Sequence, residues 1–287
     1  MSRPIGIYEK ATPKHFSWKE RLEFAKELGF DFVEMSIDED DSRLDRLNWS
    51  KETRLGVVQA IYETGVRIQS LCFSAHRRFP LGSNNPEIEA KSLELMKQCI
   101  VLAQDLGIRI IQVAGYDVYY EEKSSETRAR YIKNLRKACD WAEQAQVILA
   151  VETMDDPFIN SIQKYMAIEK EIASPYLFVY PDTGNISAWR NDTYSELYLG
   201  HLSIAALHLK DTYEVTENSK GQFRDVPFGK GCVNWEEIFK ILKATNYQGP
   251  FLIEMWSENC NTVEETRKAI KEAQNFLYPL MEKVGFK

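Results

Sequence analysis

The chain has 287 residues, with 36 basic and 43 acidic side chains and a formal net charge of −7. Because it also lacks a long basic segment, it has no general attraction for a phosphate backbone, and we expect no nucleic-acid partner. Apolar residues make up 44% and charged residues 28%, which excludes a disordered or fibrous chain.

The cysteines and the hydropathy of the chain indicate the cellular compartment. The chain has five cysteines, an odd number, and they lie far apart without a Cys-x-x-Cys pair, so neither a disulfide framework nor a zinc knuckle is indicated. Residues 1–16 contain no apolar segment typical of a signal peptide, and no apolar run is long enough to span a bilayer. We therefore expect a cytoplasmic protein with no membrane partner.

Eight short apolar runs alternate with segments of helical spacing, and several of these, such as 18–29 and 89–107, end at glycine. The runs cover residues 4–9, 30–37, 67–74, 109–115, 147–153, 177–185, 204–211 and 250–256. Strands buried on both faces of a parallel sheet have this composition. The count predicts an α/β fold, a (β/α)₈ TIM barrel in one domain over residues 1–287, and the absence of Gly-x-Gly-x-x-Gly after the first strand disfavours a doubly wound sheet.

Four acidic or imidazole side chains end the last four predicted strands. They are Glu152, Asp182, His208 and Glu254. In a barrel of this type the active site lies at the carboxyl ends of the strands, so these groups converge. Taken singly, the histidine could bond a neighbouring carbonyl and each carboxylate could cap a helix or pair with a lysine. Taken together, they would repel one another in a closed pocket unless a cation lay between them.

The donor set suggests the ion. Three carboxylates and one imidazole favour Mn²⁺ or Mg²⁺, and Zn²⁺ or Co²⁺ are also compatible. We therefore predict one divalent metal ion held by Glu152, Asp182, His208 and Glu254.

Other polar residues are candidates for substrate contacts. Alternation along the second and fourth strands turns Glu34 and Gln112 into the barrel, within reach of sugar hydroxyls. His76 and Arg77 follow the third strand at the same face of the barrel, and Lys210 stands two residues after His208.

The segment 211–231 is the longest polar connection, and long loops after barrel strands are usually functional. It ends near two glycines, Gly229 and Gly231, just before a helix start predicted at Asn234, so their amides could bind a phosphate with charge added by Arg224 and Lys230. An ordinary loop with a helix N-cap explains the same residues equally well.

Short motifs surround the four predicted ligands: VET, YPDTGN, LHLKDT and LIEMW. They resemble those of the xylose-isomerase-like barrels, especially the single-metal ketose 3-epimerases. Further motifs elsewhere are GIYEKA, LGFDFVEMSIDE, SAHRRFPLGS, QVAGYDVYYEE, NISAWRND and VPFGKG. With these, the chain resembles the L-xylulose-5-phosphate 3-epimerases, also called L-ribulose-5-phosphate 3-epimerases, over about residues 4–280.

The resemblance implies the same four metal ligands, with Glu152 and Glu254 also acting as the acid/base pair that inverts C3 through an enediolate. It implies a small sugar-phosphate substrate and a role in L-ascorbate or pentose breakdown. Because symmetric oligomers are common among proteins, we also expect a homo-oligomer, most simply a dimer. Ketohexose 3-epimerases commonly have a histidine three residues after the metal-binding aspartate, where this chain has Asn185. This difference agrees with the phosphate-specific branch and makes Asn185 a candidate substrate contact.

Three alternatives remain from the sequence. An aldose–ketose isomerase, such as a hexulose-6-phosphate isomerase, or a sugar dehydratase could use the same barrel and metal. A DNA-repair endonuclease shares the barrel, but such sites gather several metals with many histidines, and this chain has four histidines in all. A catalytically silent sugar-phosphate binder should have lost ligands, and all four are present.

Overall fold

A parallel eight-stranded sheet forms the centre of the structure, a computed structural model that describes residues 3–287. Its strands are β1 (Ile5–Tyr8), β2 (Phe32–Ile37), β3 (Arg67–Phe73), β4 (Ile110–Ala114), β5 (Ile148–Glu152), β6 (Leu177–Tyr180), β7 (Leu207–Leu209) and β10 (Phe251–Ile253). They follow the order β6-β5-β4-β3-β2-β1-β10-β7. All eight predicted strands are present, and the predicted (β/α)₈ barrel is confirmed.

The gap between β6 and β7, here called the seam, is where the barrel closes least completely. Among the described residues only two isolated parallel bridges cross it, Val179 with Ile204 and Asp182 with His208. The second of these bridges joins two predicted metal ligands.

Ten α-helices follow the strands of the described chain, singly or in pairs. They are α1 (Trp18–Glu27), α2 (Asp41–Leu44), α3 (Lys51–Thr64), α4 (Pro86–Leu106), α5 (Ser125–Ala145), α6 (Ile162–Ile172), α7 (Thr183–Ala188), α8 (Thr193–Gly200), α9 (Trp235–Ala244) and α10 (Val263–Val284). Sequence caps explain many boundaries. Ser17 and Glu20 form a capping box at α1, Gly107 ends α4 with a left-handed φ of 70°, and Asn234 caps α9 as predicted.

Side chains alternate between two environments along the strands. On β5, Leu149 and Val151 belong to the large core between sheet and helices, whereas Ala150 packs with Ile110 and Tyr180 inside the barrel. Because the period of a strand is two, Glu152 has the same orientation as Ala150. The barrel interior therefore has an apolar lower part and a polar upper end.

Several predicted strands are shorter than expected, among them 250–256, which is a strand only at Phe251–Ile253. The run 177–185 is a strand only to Tyr180, because the Asp182 carboxylate accepts the amide of Asn185 at 2.7 Å and caps α7. Within α7, a Cβ on Gly184 would lie 2.8 Å from the carbonyl oxygen of Lys210, so only glycine permits this approach. The run 204–211 forms β7 only at Leu207–Leu209.

The segment after β7 is a hairpin rather than an irregular loop. Strands β8 (Asp211–Thr216) and β9 (Ser219–Val226) pair antiparallel and are largely exposed, outside the barrel sheet. The described residues build one barrel sheet with its helices and this hairpin, and a single domain over residues 1–287 stays a prediction. No helix within residues 3–287 combines the length and hydropathy needed to cross a membrane.

Candidate active site

The four predicted metal ligands meet at the upper end of the barrel. One ligand atom from each of Glu152, Asp182, His208 and Glu254 lies within 4.8 Å of the others, and all four side chains are buried. His208 Nδ1 lies 3.0 Å from Glu152 Oε1, 3.6 Å from Glu254 Oε2 and 3.8 Å from Asp182 Oδ2. The structure therefore brings the ligand atoms into one cluster.

Two further side chains hold the cluster from the barrel wall. Gln112 donates its amide to Glu152 Oε2, and Lys210 Nζ lies 2.8 Å from Asp182 Oδ2 and 3.0 Å from Glu254 Oε2. Gln112 and Lys210 were predicted to contact a sugar; both contact the carboxylates of the predicted metal ligands, and their sugar contacts stay a prediction.

The three carboxylates place negative charge at the centre of the cluster. Asp182 Oδ2 and Glu254 Oε2 are buried, and both form ion pairs with Lys210. One ammonium group does not neutralise the three buried carboxylates of the cluster, and the remaining negative charge is costly unless a further cation faces it. The residues present therefore fit a divalent metal ion.

The buried groups of the cluster shift one another's pKa values in opposite directions. Burial is the main cause that raises the pKa of Asp182 to about 8, opposed by Lys210 and supported by Glu254. Burial alone would also raise the pKa of Glu254, but Lys210 and His208 outweigh it and lower that pKa to about 2. Burial acts against the charged form of His208, yet Glu34 and Glu254 raise its pKa well above the usual value. A bound cation would replace protons on these groups.

A small cavity of about 50 Å³ opens onto the cluster. Glu152, Glu254 and Lys210 line it together with Asn185, and so do three cationic side chains from other elements, Lys10, Arg77 and Arg224. The cavity therefore places positive charge beside the two glutamates, which would favour an anionic group there.

Two of the cavity residues are fixed by their neighbours. Arg77 Nη2 donates to the hydroxyl of Tyr116 at 3.0 Å, and the guanidinium lies 4.7 Å from the ring centroid of Tyr119. Asn185 Nδ2 donates to the carbonyl of Thr153 at 2.8 Å, while its Oδ1 is buried without a partner. The predicted contacts Arg77 and Asn185 thus reach the cavity.

Two other predicted contacts do not line this cavity. His76 is buried against Phe73 and donates to the carbonyl of Ser92 at 3.4 Å, and burial lowers its pKa to about 4. Glu34 lies beside His208 in the barrel interior, 2.9 Å from Nε2, with both carboxylate oxygens hydrogen-bonded. Tertiary packing encloses both side chains away from this cavity, and the sugar contacts predicted for His76 and Glu34 stay a prediction.

The glycine-rich segment before α9 is bound to a residue that the sequence analysis did not single out. The amides of Gly229 and Gly231 donate to Asp211 Oδ2 at 2.8 and 3.2 Å. Asp211 is itself 1% exposed. These two amides are thus not free to bind a phosphate, which corrects that part of the prediction, and a glycine pair in sequence does not show which acceptor it meets.

Lys230 lines a second, larger cavity of about 470 Å³. This cavity shares Lys210, Glu254 and Trp256 with the smaller one. Trp256, which the sequence analysis also missed, stacks under the guanidinium of Arg224 at 5.0 Å. Its position two residues after Glu254, within the apolar run 250–256 predicted as a strand, is the signal that could have identified it.

Comparison with known proteins shows the family to which this chain belongs. A family model described as "Xylose isomerase-like TIM barrel" matches residues 22–280. This chain belongs to the xylose isomerase-like TIM barrel family. The resemblance inferred from the sequence motifs is confirmed.

Among members of this family, the chain is 53% identical to a putative L-ribulose-5-phosphate 3-epimerase, SgbU, of Haemophilus influenzae, over 98% of this chain and 97% of the relative. It is 51% identical to the L-ribulose-5-phosphate 3-epimerase UlaE of Escherichia coli O157:H7, over 98% of this chain and 96% of the relative.

Solved structures share the fold at much lower identity. An L-ribulose 3-epimerase is 20% identical with a TM-score of 0.77, covering 99% of this chain and 96% of its own. A D-psicose 3-epimerase from Clostridium cellulolyticum, solved with D-tagatose, is 16% identical with a TM-score of 0.78, covering 96% of this chain and 99% of its own. At these identities the similarity shows a shared barrel fold and nothing further.

Proposed function

We propose that this protein is a carbohydrate 3-epimerase that interconverts L-xylulose 5-phosphate and L-ribulose 5-phosphate. The observation that carries the proposal is the pair of glutamates, Glu152 and Glu254, within one buried cluster in a chain 53% identical to a relative named for this reaction. Inversion of C3 requires a base for one face of the carbon and an acid for the other, and two carboxylates supply both.

The hydrogen on C3 is acidic because C3 is adjacent to the C2 ketone. One glutamate removes this proton to give an enediolate, and the other returns a proton to the opposite face. Gln112 and His208 hold Glu152 in place, and Lys210 lies beside Glu254. A divalent ion held by Glu152, Asp182, His208 and Glu254 would supply a Lewis acid that polarises the ketone and stabilises the developing charge.

The metal is part of the proposal. We favour Mn²⁺ or Mg²⁺, with Zn²⁺ and Co²⁺ compatible, because the donor set has three carboxylates and one imidazole.

The phosphate would be held by cationic side chains rather than by glycine amides. Arg77 and Arg224 line the cavity that opens onto the two glutamates, and Lys230 lines the larger cavity beside it. Guanidinium groups bind phosphate oxygens in a bidentate manner, which favours the two arginines.

An aldose–ketose isomerase is the second candidate, because the same cluster could move a proton between C1 and C2. The two reactions differ in product. We would record proton NMR spectra of L-ribulose 5-phosphate and L-xylulose 5-phosphate in D₂O with metal-stripped protein and after Mn²⁺ is restored. The proposal predicts metal-dependent loss of the C3 proton signal and appearance of the other ketose. Formation of an aldose with C3 unchanged would establish the isomerase instead.

The setting of this activity is also proposed. The five cysteines are free, as expected of a reducing cytoplasm. We propose a homo-oligomer, most simply a dimer, that acts in L-ascorbate or pentose breakdown without a nucleic-acid or membrane partner.

A further inference from the structure

Glu34 is a buried carboxylate that the epimerisation chemistry above does not use. It lies on β2 with no exposed surface, and reaches across the barrel to His208, 174 residues later in the chain and on a strand that does not neighbour β2. A buried acid of this kind is costly unless its oxygens find donors.

All of those donors are present. Glu34 Oε2 accepts from the hydroxyl of Ser70 at 2.6 Å and from that of Tyr180 at 3.0 Å, and Oε1 lies 2.9 Å from His208 Nε2. The register between β2 and β3 shifts between Val33 and Glu34, which places Ser70 opposite Glu34. The two hydroxyl donors fix the orientation of the carboxylate, so that Oε1 faces the imidazole.

Each ring nitrogen of His208 faces a carboxylate, Nε2 that of Glu34 and Nδ1 that of Glu152. A metal ion in the cluster would take the place of the proton on Nδ1, and the carboxylate of Glu34 accepts the proton that remains on Nε2. Nδ1 is the nitrogen that faces the cluster, 3.0 Å from Glu152 Oε1. In many metal sites a carboxylate orients a ligating histidine through its other nitrogen.

We propose that Glu34 is the positioning residue of the site: together with Ser70 and Tyr180 it holds His208 as the Nε2–H tautomer and thereby directs Nδ1 at a divalent metal ion. This inference rests on the metal site of the proposed function. It assigns to Glu34 a role in metal affinity and none in contacting the sugar.

The Glu34→Gln variant tests the assignment with nearly unchanged side-chain volume. Ser70 and Tyr180 hold the amide oxygen, so the amide NH₂ faces Nε2 and donates to it. The ring proton then favours Nδ1, and it must be displaced before this nitrogen binds a metal. We expect affinity for Mn²⁺, measured by competition with a chelating fluorescent indicator, to fall by about 10-fold to 100-fold.

Two variants make the result specific. Glu196→Gln removes the same charge from another buried glutamate, on α8, whose carboxylate accepts the amide of Gln163, and it should leave Mn²⁺ affinity unchanged. Adding Ser70→Ala and Tyr180→Phe to Glu34→Gln lets the amide turn its oxygen toward Nε2. This triple variant should recover part of the lost affinity, which a merely structural defect would not allow.

Nitrogen-15 NMR of the histidine rings in the Zn²⁺-loaded wild type reads the tautomer directly and requires no variant to fold. The proposal predicts a protonated Nε2 on His208. A protonated Nδ1, or unchanged Mn²⁺ affinity in Glu34→Gln, would overturn it. If the wild type itself bound neither Mn²⁺ nor Zn²⁺, the metal part of the proposed function would fail, and this inference with it.

Discussion

The Glu152 carboxylate is held on both oxygens, by Gln112 on one side and by His208 on the other. Its orientation toward the cavity is thus set by residues from two other strands. Proton transfer by a positioned carboxylate typically contributes between 10²-fold and 10⁴-fold to a rate. Replacing Glu152 by glutamine keeps the size and shape of the side chain but removes the carboxylate that acts as a base.

We therefore expect Glu152→Gln to lower kcat for epimerisation on the order of 10³-fold while the chain still folds. Turnover followed by NMR and thermal unfolding followed by circular dichroism would measure the two properties. Turnover at the wild-type rate would refute the mechanism with two glutamates.

Glu9 shows the opposite electrostatic situation. Burial would raise its pKa, but Arg46 outweighs burial and lowers the pKa below the usual value. The guanidinium of Arg46 contacts both oxygens at 2.6 and 2.7 Å, and the amide of Ser36 adds a third bond at 2.8 Å. Because the folded pKa is depressed, this contribution to stability is present above the unfolded pKa, about 4.3, and is lost as pH falls through the folded value.

At pH 7 the Glu9→Gln variant should unfold with about 3 kcal/mol less free energy than the wild type, since Arg46 loses its buried partner. The difference should persist at pH 5 and shrink only below about pH 4. Denaturant titrations at several pH values would measure it. A difference that grew on acidification would contradict the depressed pKa of Glu9.

The hairpin formed by β8 and β9 is the element that covers the candidate site. It brings Phe223 and Arg224 to the cavity, and Arg190 and Glu214 form an ion pair at 3.4 Å between the end of α7 and the hairpin. Asp211 at its base accepts amides from the following loop. The hairpin thus has a fixed base and an exposed tip.

For an anionic substrate, Arg224→Ala should raise KM by about 10-fold to 100-fold with a smaller effect on kcat, since a hydrogen bond to a charged group contributes about 1.5 to 3 kcal/mol. Lys220→Ala, near the exposed tip of the same hairpin, is the matched control and should leave KM unchanged. Steady-state kinetics with the two ketose phosphates would measure both. Equal KM values for Arg224→Ala and wild type would show that the arginine does not contact substrate.

At the scale of the whole molecule, the ligand cluster lies across the seam. Asp182 follows β6 and His208 lies on β7, the two strands joined only by isolated bridges among the described residues. A cation that binds ligands on both sides therefore links the two edges of the sheet. A ligand that binds only the folded state stabilises it by mass action.

Mn²⁺ at about 100 times its Kd should add about 2.7 kcal/mol and raise Tm by about 5 °C relative to protein in EDTA. Differential scanning calorimetry would measure the shift. Asp182→Asn, which loses one ligand, should show a much smaller metal-dependent shift. A wild-type Tm that did not respond to Mn²⁺ would contradict metal binding by this cluster.

Sequence patterns predicted much of this architecture. The eight strands and the meeting of Glu152, Asp182, His208 and Glu254 followed from period and position alone, because parallel strands in a barrel all end at one face. Strand ends were less accurate, as at 177–185, where a cap formed by Asp182 converts predicted strand into helix α7. The segment contains two local signals, an apolar run that favours a strand and an aspartate that can cap a helix, and the sequence does not show which one determines the strand end.

The amino-acid sequence by itself determined the fold class and the predicted ligand set. The fold class follows from the alternation of apolar runs with helical segments, and the ligand set follows from the polar residues that end the last four runs. Only the tertiary structure decided the roles of Glu34 and Asp211. Glu34 meets a histidine 174 residues away, and Asp211 accepts amides about 20 residues later. Such contacts depend on which buried polar groups find partners after the chain has packed, and this is a property of the whole barrel rather than of any segment.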